Sequence, residues 1–313
     1  MTDLVTLGEA MLAVSLTEPG PLSPGATARL SFAGAEATVA IGVGRQGHKS
    51  AWTGVVGADA AGTMILTALR AEGVDVSHVR TDASRPTGLM LRQRRTSDRT
   101  LASYYRKGQA GCGLGPEDVD PELVSRARIL HITGITPALG PGPLEAVRHA
   151  VAIARTTGTT VSLDINYRSL LWSPREAADT LLPLVREADV VFAGLDEAGL
   201  FVEAGGVADT ARALARLGPR QCVIKLGPDG ALALVDGEIF VQAAVPVTAV
   251  DPIGAGDSFV AGYLSGLLDG APPADRLRTA AICGAFSVSV PGDWEGLPRR
   301  SEGSLLDGDD VRR

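Results

Sequence analysis

Apolar runs of β character alternate with stretches of helical periodicity along most of the chain. Leu4 to Leu7, Ser50 to Val55, Ile129 to Ile132, Thr160 to Leu163, Val190 to Ala193 and Cys222 to Lys225 read as core strands. Helices are expected near 36–46, 60–72, 142–157, 174–186 and 207–217. Such alternation marks repeated βαβ units and therefore an α/β fold around a mainly parallel sheet, with ligands gathered beyond the carboxyl ends of its strands. Two stretches break the rhythm. Residues 11–32 are rich in Pro and Gly, and residues 87–107 carry alternating Leu, Met, Arg and Tyr that suggest a hairpin. They are distant in sequence but could pair in space. Val223 to Ala231 reads as a strand, a glycine-bearing turn and a second strand, and the tail after Gly303 reads as frayed.

With 313 residues and 45% hydrophobic content, the chain can bury a large core, and one domain over 1–313 with an insertion accounts for its length. A net charge of −7 argues against a nucleic-acid or anionic-membrane surface, because such partners need clustered Lys and Arg. Apolar runs fall short of the roughly 20 residues that cross a bilayer, and no signal peptide is indicated at the N-terminus. Cys112, Cys222 and Cys283 are widely spaced, with no Cys-x-x-Cys, and read as reduced thiols of a cytoplasmic protein.

The most informative chemistry lies in Asp251-Pro252-Ile253-Gly254-Ala255-Gly256-Asp257, which runs straight into the apolar, helix-patterned Ser258 to Leu264. Gly254 and Gly256 let the backbone approach a ligand closely, and the first amides of the helix have no intrahelical partners, so they can hold phosphate oxygens. Asp257 stands where that phosphate would meet an acceptor hydroxyl, whose proton it could take. The plainer alternative is a capping Asp on a glycine turn. Asp251 either holds the loop or helps organise a metal.

Three of the four tyrosines sit beside basic residues, in Tyr104-Tyr105-Arg106-Lys107 and Asn166-Tyr167-Arg168. Aromatic faces with neighbouring guanidinium groups suit a small polyhydroxylated ligand bearing a carboxylate, which Arg can grip with two parallel hydrogen bonds. Competing motifs fall away. Gly42-Val43-Gly44-Arg45-Gln46-Gly47 has the glycine spacing of a dinucleotide site, but these glycines close a helical pattern and precede a strand, so close helix packing explains them better. His48 separates Gly47 from Lys49-Ser50, so no P-loop is formed. The four histidines are too dispersed for a local zinc pattern, His131 reads as a hydrogen-bonded core residue, and no Gly-x-Ser-x-Gly elbow occurs.

The 251–257 heptad, about four fifths of the way along, resembles the C-terminal signature of the ribokinase-like (PfkB) carbohydrate kinases. Pro252 replaces the family's usual Thr, a variant familiar in its 2-keto-3-deoxygluconate kinase branch. Tyr104 to Gly108, Ile132 to Leu139, Leu163 to Arg168, Leu171 to Pro174 and Gly292 to Gly296 extend the likeness over nearly the whole chain. The resemblance implies a three-layer α/β/α domain whose small β lid comes from about 11–32 and 87–107, covers the sugar and often forms a homodimer contact. It implies ATP-dependent phosphorylation of a sugar acid, most closely 2-keto-3-deoxygluconate, with Mg²⁺ and room for a monovalent cation such as K⁺. Asp257 would be the catalytic base, and Gly254, Ala255 and Gly256 the anion hole for the phosphate. Gly34, Tyr104, Arg106, Arg168, Asp257 and Asp293 would bind the sugar acid, with Arg106 and Arg168 on its carboxylate. Asn166, Arg168, Lys225, Gly227, Gly230 and the 254–256 amides would contact the nucleotide, and Glu197 would reach Mg²⁺ through water. The family's Asn near the start of the first helix is Thr38 here, and Met90 replaces a ligand-contacting Tyr. These departures leave a fructokinase- or ribokinase-type acceptor open, as well as a non-catalytic sugar or nucleotide sensor on the same fold.

Overall fold

A computed structural model describes residues 2–96, 100–203 and 205–307. The first half of the chain forms β1 (Leu4–Leu7), β2 (Met11–Leu16), β3 (Ala28–Ala33), α1 (Ala35–Arg45), β4 (Ser50–Thr53), β5 (Val55–Gly57), α2 (Ala60–Ala71), β6 (Arg80–Asp82), β7 (Leu89–Arg94), β8 (Thr100–Tyr105) and α3 (Pro121–Arg126). Next come β9 (Ile129–Thr133), α4 (Pro141–Thr157), β10 (Thr160–Asp164), α5 (Pro174–Glu187), β11 (Val190–Gly194), α6 (Leu195–Ala198) and α7 (Val207–Ala215). The remainder holds β12 (Gln221–Lys225), β13 (Ala231–Val235), β14 (Glu238–Gln242), α8 (Ala255–Leu268) and α9 (Pro273–Val288). Of the tail, Arg300–Asp307 form a short 3-10 helix, while 308–313, like 97–99 of the expected hairpin, lie outside the described residues.

The main sheet has the order β14-β13-β12-β11-β10-β9-β1-β4. The strands from β12 to β4 run parallel, and β13 and β14 close one edge antiparallel. These parallel strands are the ones expected from the apolar runs, with one correction. The run Ser50 to Val55 is not one strand: β4 ends at Thr53, and β5 pairs with β6 in a separate ribbon. Gly54 breaks it, because a Cβ there would lie 2.5 Å from the Gly8 carbonyl oxygen.

Helices cover both faces, which is why the strands are apolar throughout rather than alternating. On one side Val147, Ala150, Leu181, Leu184 and Leu214 pack onto Leu130 and Val161. On the other Val39, Val43, Val260, Leu264 and Leu277 pack onto Leu4, Ile129 and Phe192. Local signals start the helices: Ser173 and Glu176 form a reciprocal capping box for α5, and Asp59 accepts the Gly62 amide at the head of α2. A four-stranded second sheet, β3-β2-β7-β8, stands off the main one, with β2 and β7 side by side in parallel. His131 is wholly buried, with Nδ1 2.9 Å from Ser162 Oγ, and burial pushes its pKa down to about 3, as suits a neutral core imidazole.

The glycine-spaced segment at 42–47 ends α1 rather than opening a nucleotide turn. Gly42 is where α1 meets α8: a Cβ there would fall 2.5 Å from the Ala261 Cβ. At Gly44 the nearest atoms to an added Cβ are Ser50 Oγ at 3.5 Å and the Glu72 carbonyl oxygen at 3.6 Å, which is ordinary contact. Gly42→Val therefore lowers unfolding free energy by about 1–3 kcal/mol through overpacking, whereas Gly44→Ala is tolerated. Denaturant midpoints for the two variants check this, and equal midpoints would contradict the close α1–α8 contact.

Candidate active site

The carboxyl ends of β1, β9, β10, β11 and β12 share one pole of the sheet, and the start of α8 lies over them. Gly254 adopts φ 76°, a left-handed conformation open to glycine, and a Cβ on it would overlap the carbonyl oxygen of Asp293. α8 begins at Ala255, so the amides of Gly256 and Asp257 sit in its first turn without intrahelical acceptors and at the positive end of its dipole. Lys225 Nζ lies 3.6 Å from the position of a Cβ on Gly256, which adds a cation to this cradle. Asp257 accepts a hydrogen bond from Asn166 Nδ2 at 3.1 Å, and Asn166 itself takes a left-handed turn, φ 41°, just past β10. Burial raises the Asp257 pKa, against the lowering effect of Arg168, Lys225 and the Asn166 hydrogen bond. A carboxylate with raised pKa is a better proton acceptor when it is ionised.

Beside the cradle opens a cavity of about 1120 Å³ between the main and second sheets. Gly34, Tyr104, Arg106, Arg168, Asp257 and Asp293, drawn from separate parts of the chain, all line it. Arg106 is held in an ion pair by Glu9 in the loop between β1 and β2, and its guanidinium sits 5.6 Å from the Tyr104 ring centroid. Among the described residues no carboxylate forms an ion pair with Arg168. Tyr105 points to the opposite face of the second sheet and is 58% exposed. Met90 lines the cavity, whereas Thr38 does not: it is buried in α1, and its hydroxyl has no partner among the described residues.

The residues expected on the nucleotide side are placed differently. Lys225 Nζ binds both oxygens of Asp164, at 2.8 and 2.6 Å, at the ends of β12 and β10. Burial lifts the Asp164 pKa to about 6, against the pull of Lys225. Gly227 and Gly230 form the turn into β13, and a Cβ on Gly230 would overlap the Gln242 carbonyl oxygen, so backbone packing accounts for that glycine. Asn166, Lys225, Gly227 and Gly230 are not among the lining residues of the large cavity. Glu197 spends its oxygens on backbone amides, Tyr167 N at 2.9 Å and Gly194 N at 2.7 Å, and thereby ties β11 to the loop after β10. Among the described residues no group of three or more His, Cys, Asp or Glu is arranged to hold a metal ion.

Three further groups escaped the sequence reading. Glu36, in the first turn of α1, lines the cavity and accepts hydrogen bonds from Thr133 Oγ1 and Thr136 Oγ1, each at 2.7 Å. Burial pushes its pKa up to about 7, with the Asp257 charge adding to the rise. Glu9 is the counter-ion of Arg106, and Arg92 on β7 pairs with both Asp251 and Asp293. The available signal for Glu9 and Glu36 was an isolated acid inside an apolar stretch, since buried carboxylates are rare unless partnered.

A glycine-opened helix with a half-buried carboxylate in its first turn, facing a cavity at the carboxyl pole of a parallel sheet, suits transfer of a phosphoryl group to a hydroxyl. Residues 1–300 match the pfkB family carbohydrate kinases, and the chain belongs to that family. It is 36% identical over 304 residues to the 2-dehydro-3-deoxygluconokinase of Bacillus subtilis strain 168, covering 96% of this chain and 94% of the relative. It is likewise 36% identical over 311 residues to the enzyme of that name from Thermoproteus tenax, covering 98% and 94%. Among solved structures, a PfkB protein from Polaromonas sp. JS666 superimposes with a TM-score of 0.88 at 35% identity, covering 96% of this chain and 99% of that one. The fold is ribokinase-like, and the protein is a sugar kinase.

The raised Glu36 pKa has a consequence for stability. Between the ordinary value of 4.5 and about 7, the folded protein holds a proton that the unfolded chain releases. Its stabilisation is therefore complete below pH 4.5, falls as pH rises to 7, and is level above that, a change of at most about 3 kcal/mol. Glu36→Gln keeps an acceptor for both threonines and removes this slope. Urea midpoints at pH 5 and pH 8 should draw together in the variant relative to the parent. An unchanged difference would place the titration elsewhere.

Proposed function

We propose that this kinase transfers the terminal phosphoryl group of ATP to the terminal hydroxyl of 2-keto-3-deoxygluconate, the sugar acid also called 2-dehydro-3-deoxygluconate. The observation that carries the reading is the shared lining of one cavity by Arg106, Arg168, Tyr104, Gly34, Asp293 and Asp257. Its guanidinium groups supply the charge and forked donors that a carboxylate needs, and Asp257 waits at the mouth of the phosphate cradle. The two 2-dehydro-3-deoxygluconokinase relatives support the same acceptor.

In this mechanism Asp257 takes the proton of the acceptor hydroxyl as the phosphoryl group arrives, and Asn166 and Arg168 hold the carboxylate ready. The Gly254 to Gly256 backbone and Lys225 receive the negative charge on the transferred group. Bound Mg²⁺ would supply neutralisation of the phosphate charge. Its protein contact falls to Glu197 through water, since both Glu197 oxygens already serve backbone amides. Asn166, Lys225, Gly227 and Gly230 would flank the nucleotide rather than the sugar.

The second sheet acts as the lid, with residues about 11–32 and 87–107 closing over the sugar to exclude water as a competing acceptor. Its cavity face carries Met11, Ala13, Ala33 and Met90. Its other face carries Leu12, Val14, Leu30, Leu89, Leu91, Leu101 and Tyr105, with Leu30 61% and Leu101 53% exposed. That apolar outer face supports a homodimer through the lid. A cytoplasmic location agrees with three free cysteines and with the lack, among the described residues, of a helix long and apolar enough to cross a membrane.

An ADP-release assay over a panel of sugar acids and neutral sugars tests the function. Turnover is expected with 2-keto-3-deoxygluconate above neutral sugars, and Asp257→Asn should lower kcat by about 10² or more with sugar affinity retained. Preference for a neutral sugar would move the protein to a fructokinase or ribokinase role, and binding without turnover would make it a sensor. For the dimer, light scattering of the parent should give twice the 32.2 kDa chain mass, and Leu30→Lys with Leu101→Lys should give the single-chain mass. A monomeric parent would overturn that assignment.

A further inference from the structure

Arg92 lies on β7, in the middle of the lid sheet, yet it is only 6% exposed and makes its ion pairs outside that sheet. One guanidinium nitrogen donates to Asp251, and another donates to Asp293 Oδ1 at 3.2 Å. Asp251 in turn accepts the amides of Ile253 and Gly292, each at 3.2 Å. It is the hub between the two segments that shape the phosphate cradle. The Gly292 to Asp293 segment presses its backbone against Gly254, the residue that opens α8. β3 grips the same segment: Arg29 donates to the Pro291 carbonyl oxygen at 3.1 Å, and Ser31 donates to Glu295 at 2.6 Å.

We infer that Arg92 is a positioning residue for phosphoryl transfer: from the lid it draws together the carboxylates of Asp251 and Asp293 and so sets the turn that aims the α8 amides and Asp257. The inference rests on the proposed kinase reading for its link to turnover. The physical reason is charge. Asp251 and Asp293 are both buried and close enough to repel, and Asp293 is also faced by Asp257 from α8 and by Glu295 along its own loop. Burial pushes the Asp293 pKa up to about 7, while Arg92 opposes the rise. With Arg92 removed, two buried acids at one hinge lose their shared cation, which is more costly than never having had the pair. Only a planar fork reaches both carboxylates at once; an ammonium group is a single point charge. Closing the lid and assembling the cradle thereby become one event.

The test compares Arg92→Gln and Arg92→Lys with the parent. Turnover of the sugar acid should fall by about 10² in Arg92→Gln, the scale of a misplacement near 1 Å, with a smaller change in KM. Arg92→Lys should recover part of that loss. The ratio of parent to Arg92→Gln turnover should grow from pH 6 to pH 8.5, because Asp293 ionises without its cation, an effect that a mere loss of packing would not give. Hydrogen–deuterium exchange supplies a readout independent of catalysis: amides at 252–257 and 291–295 should exchange faster in Arg92→Gln while those of β9 to β12 keep their protection. If the parent phosphorylates no sugar acid, the functional reading fails and the exchange result still decides the role of Arg92. Parent-like exchange at 252–257, or a pH-independent ratio with parent-like kcat, would overturn the inference.

Discussion

The contact between Gly254 and the carbonyl of Asp293 sets the rest of the site. With no space for a Cβ and a left-handed backbone, this residue turns the chain so that α8 starts over the carboxyl pole of the sheet. The orientation of that first turn fixes where its unpaired amides point and where Asp257 sits. A helix started one residue later would rotate the carboxylate by about 100°, since a turn takes 3.6 residues, and would aim it away from the cavity.

Around this turn the protein concentrates buried acids, and each has a dedicated partner. Asp164 has Lys225, Glu9 has Arg106, Asp251 and Asp293 share Arg92, and Glu36 has two threonine hydroxyls. Such pairs add little net stability, because desolvation offsets the Coulomb gain, but removing one partner is costly. Their effect is to fix geometry. Among the described residues Asp257 has a hydrogen-bond donor in Asn166 and cations nearby, but no ion pair within bonding distance, which leaves its carboxylate open to an acceptor hydroxyl.

The layered α/β frame was legible in the sequence because strands covered on both faces are apolar throughout, and Ile129 to Ile132 or Val190 to Ala193 stand out for that reason. The break at Gly54 was not, since its cause is the Gly8 carbonyl, a tertiary neighbour. In the site, the 251–257 turn was legible because its chemistry is local: glycines, a helix start and an acid in consecutive positions. Arg92 was hidden because its partners lie 159 and 201 residues away, and in sequence it is one more polar residue of an alternating strand. Lys225 was singled out by the family resemblance, but its tie to Asp164 spans 61 residues and only the fold reveals it.

The most direct measurement is a crystal structure of the wild-type protein with the sugar acid and a non-hydrolysable ATP analogue. The account predicts the acceptor's terminal hydroxyl about 2.6–3.2 Å from an Asp257 oxygen, with the terminal phosphate over the Gly256 and Asp257 amides. A sugar bound with that hydroxyl turned away from Asp257, or a phosphate chain that bypasses the start of α8, would contradict it.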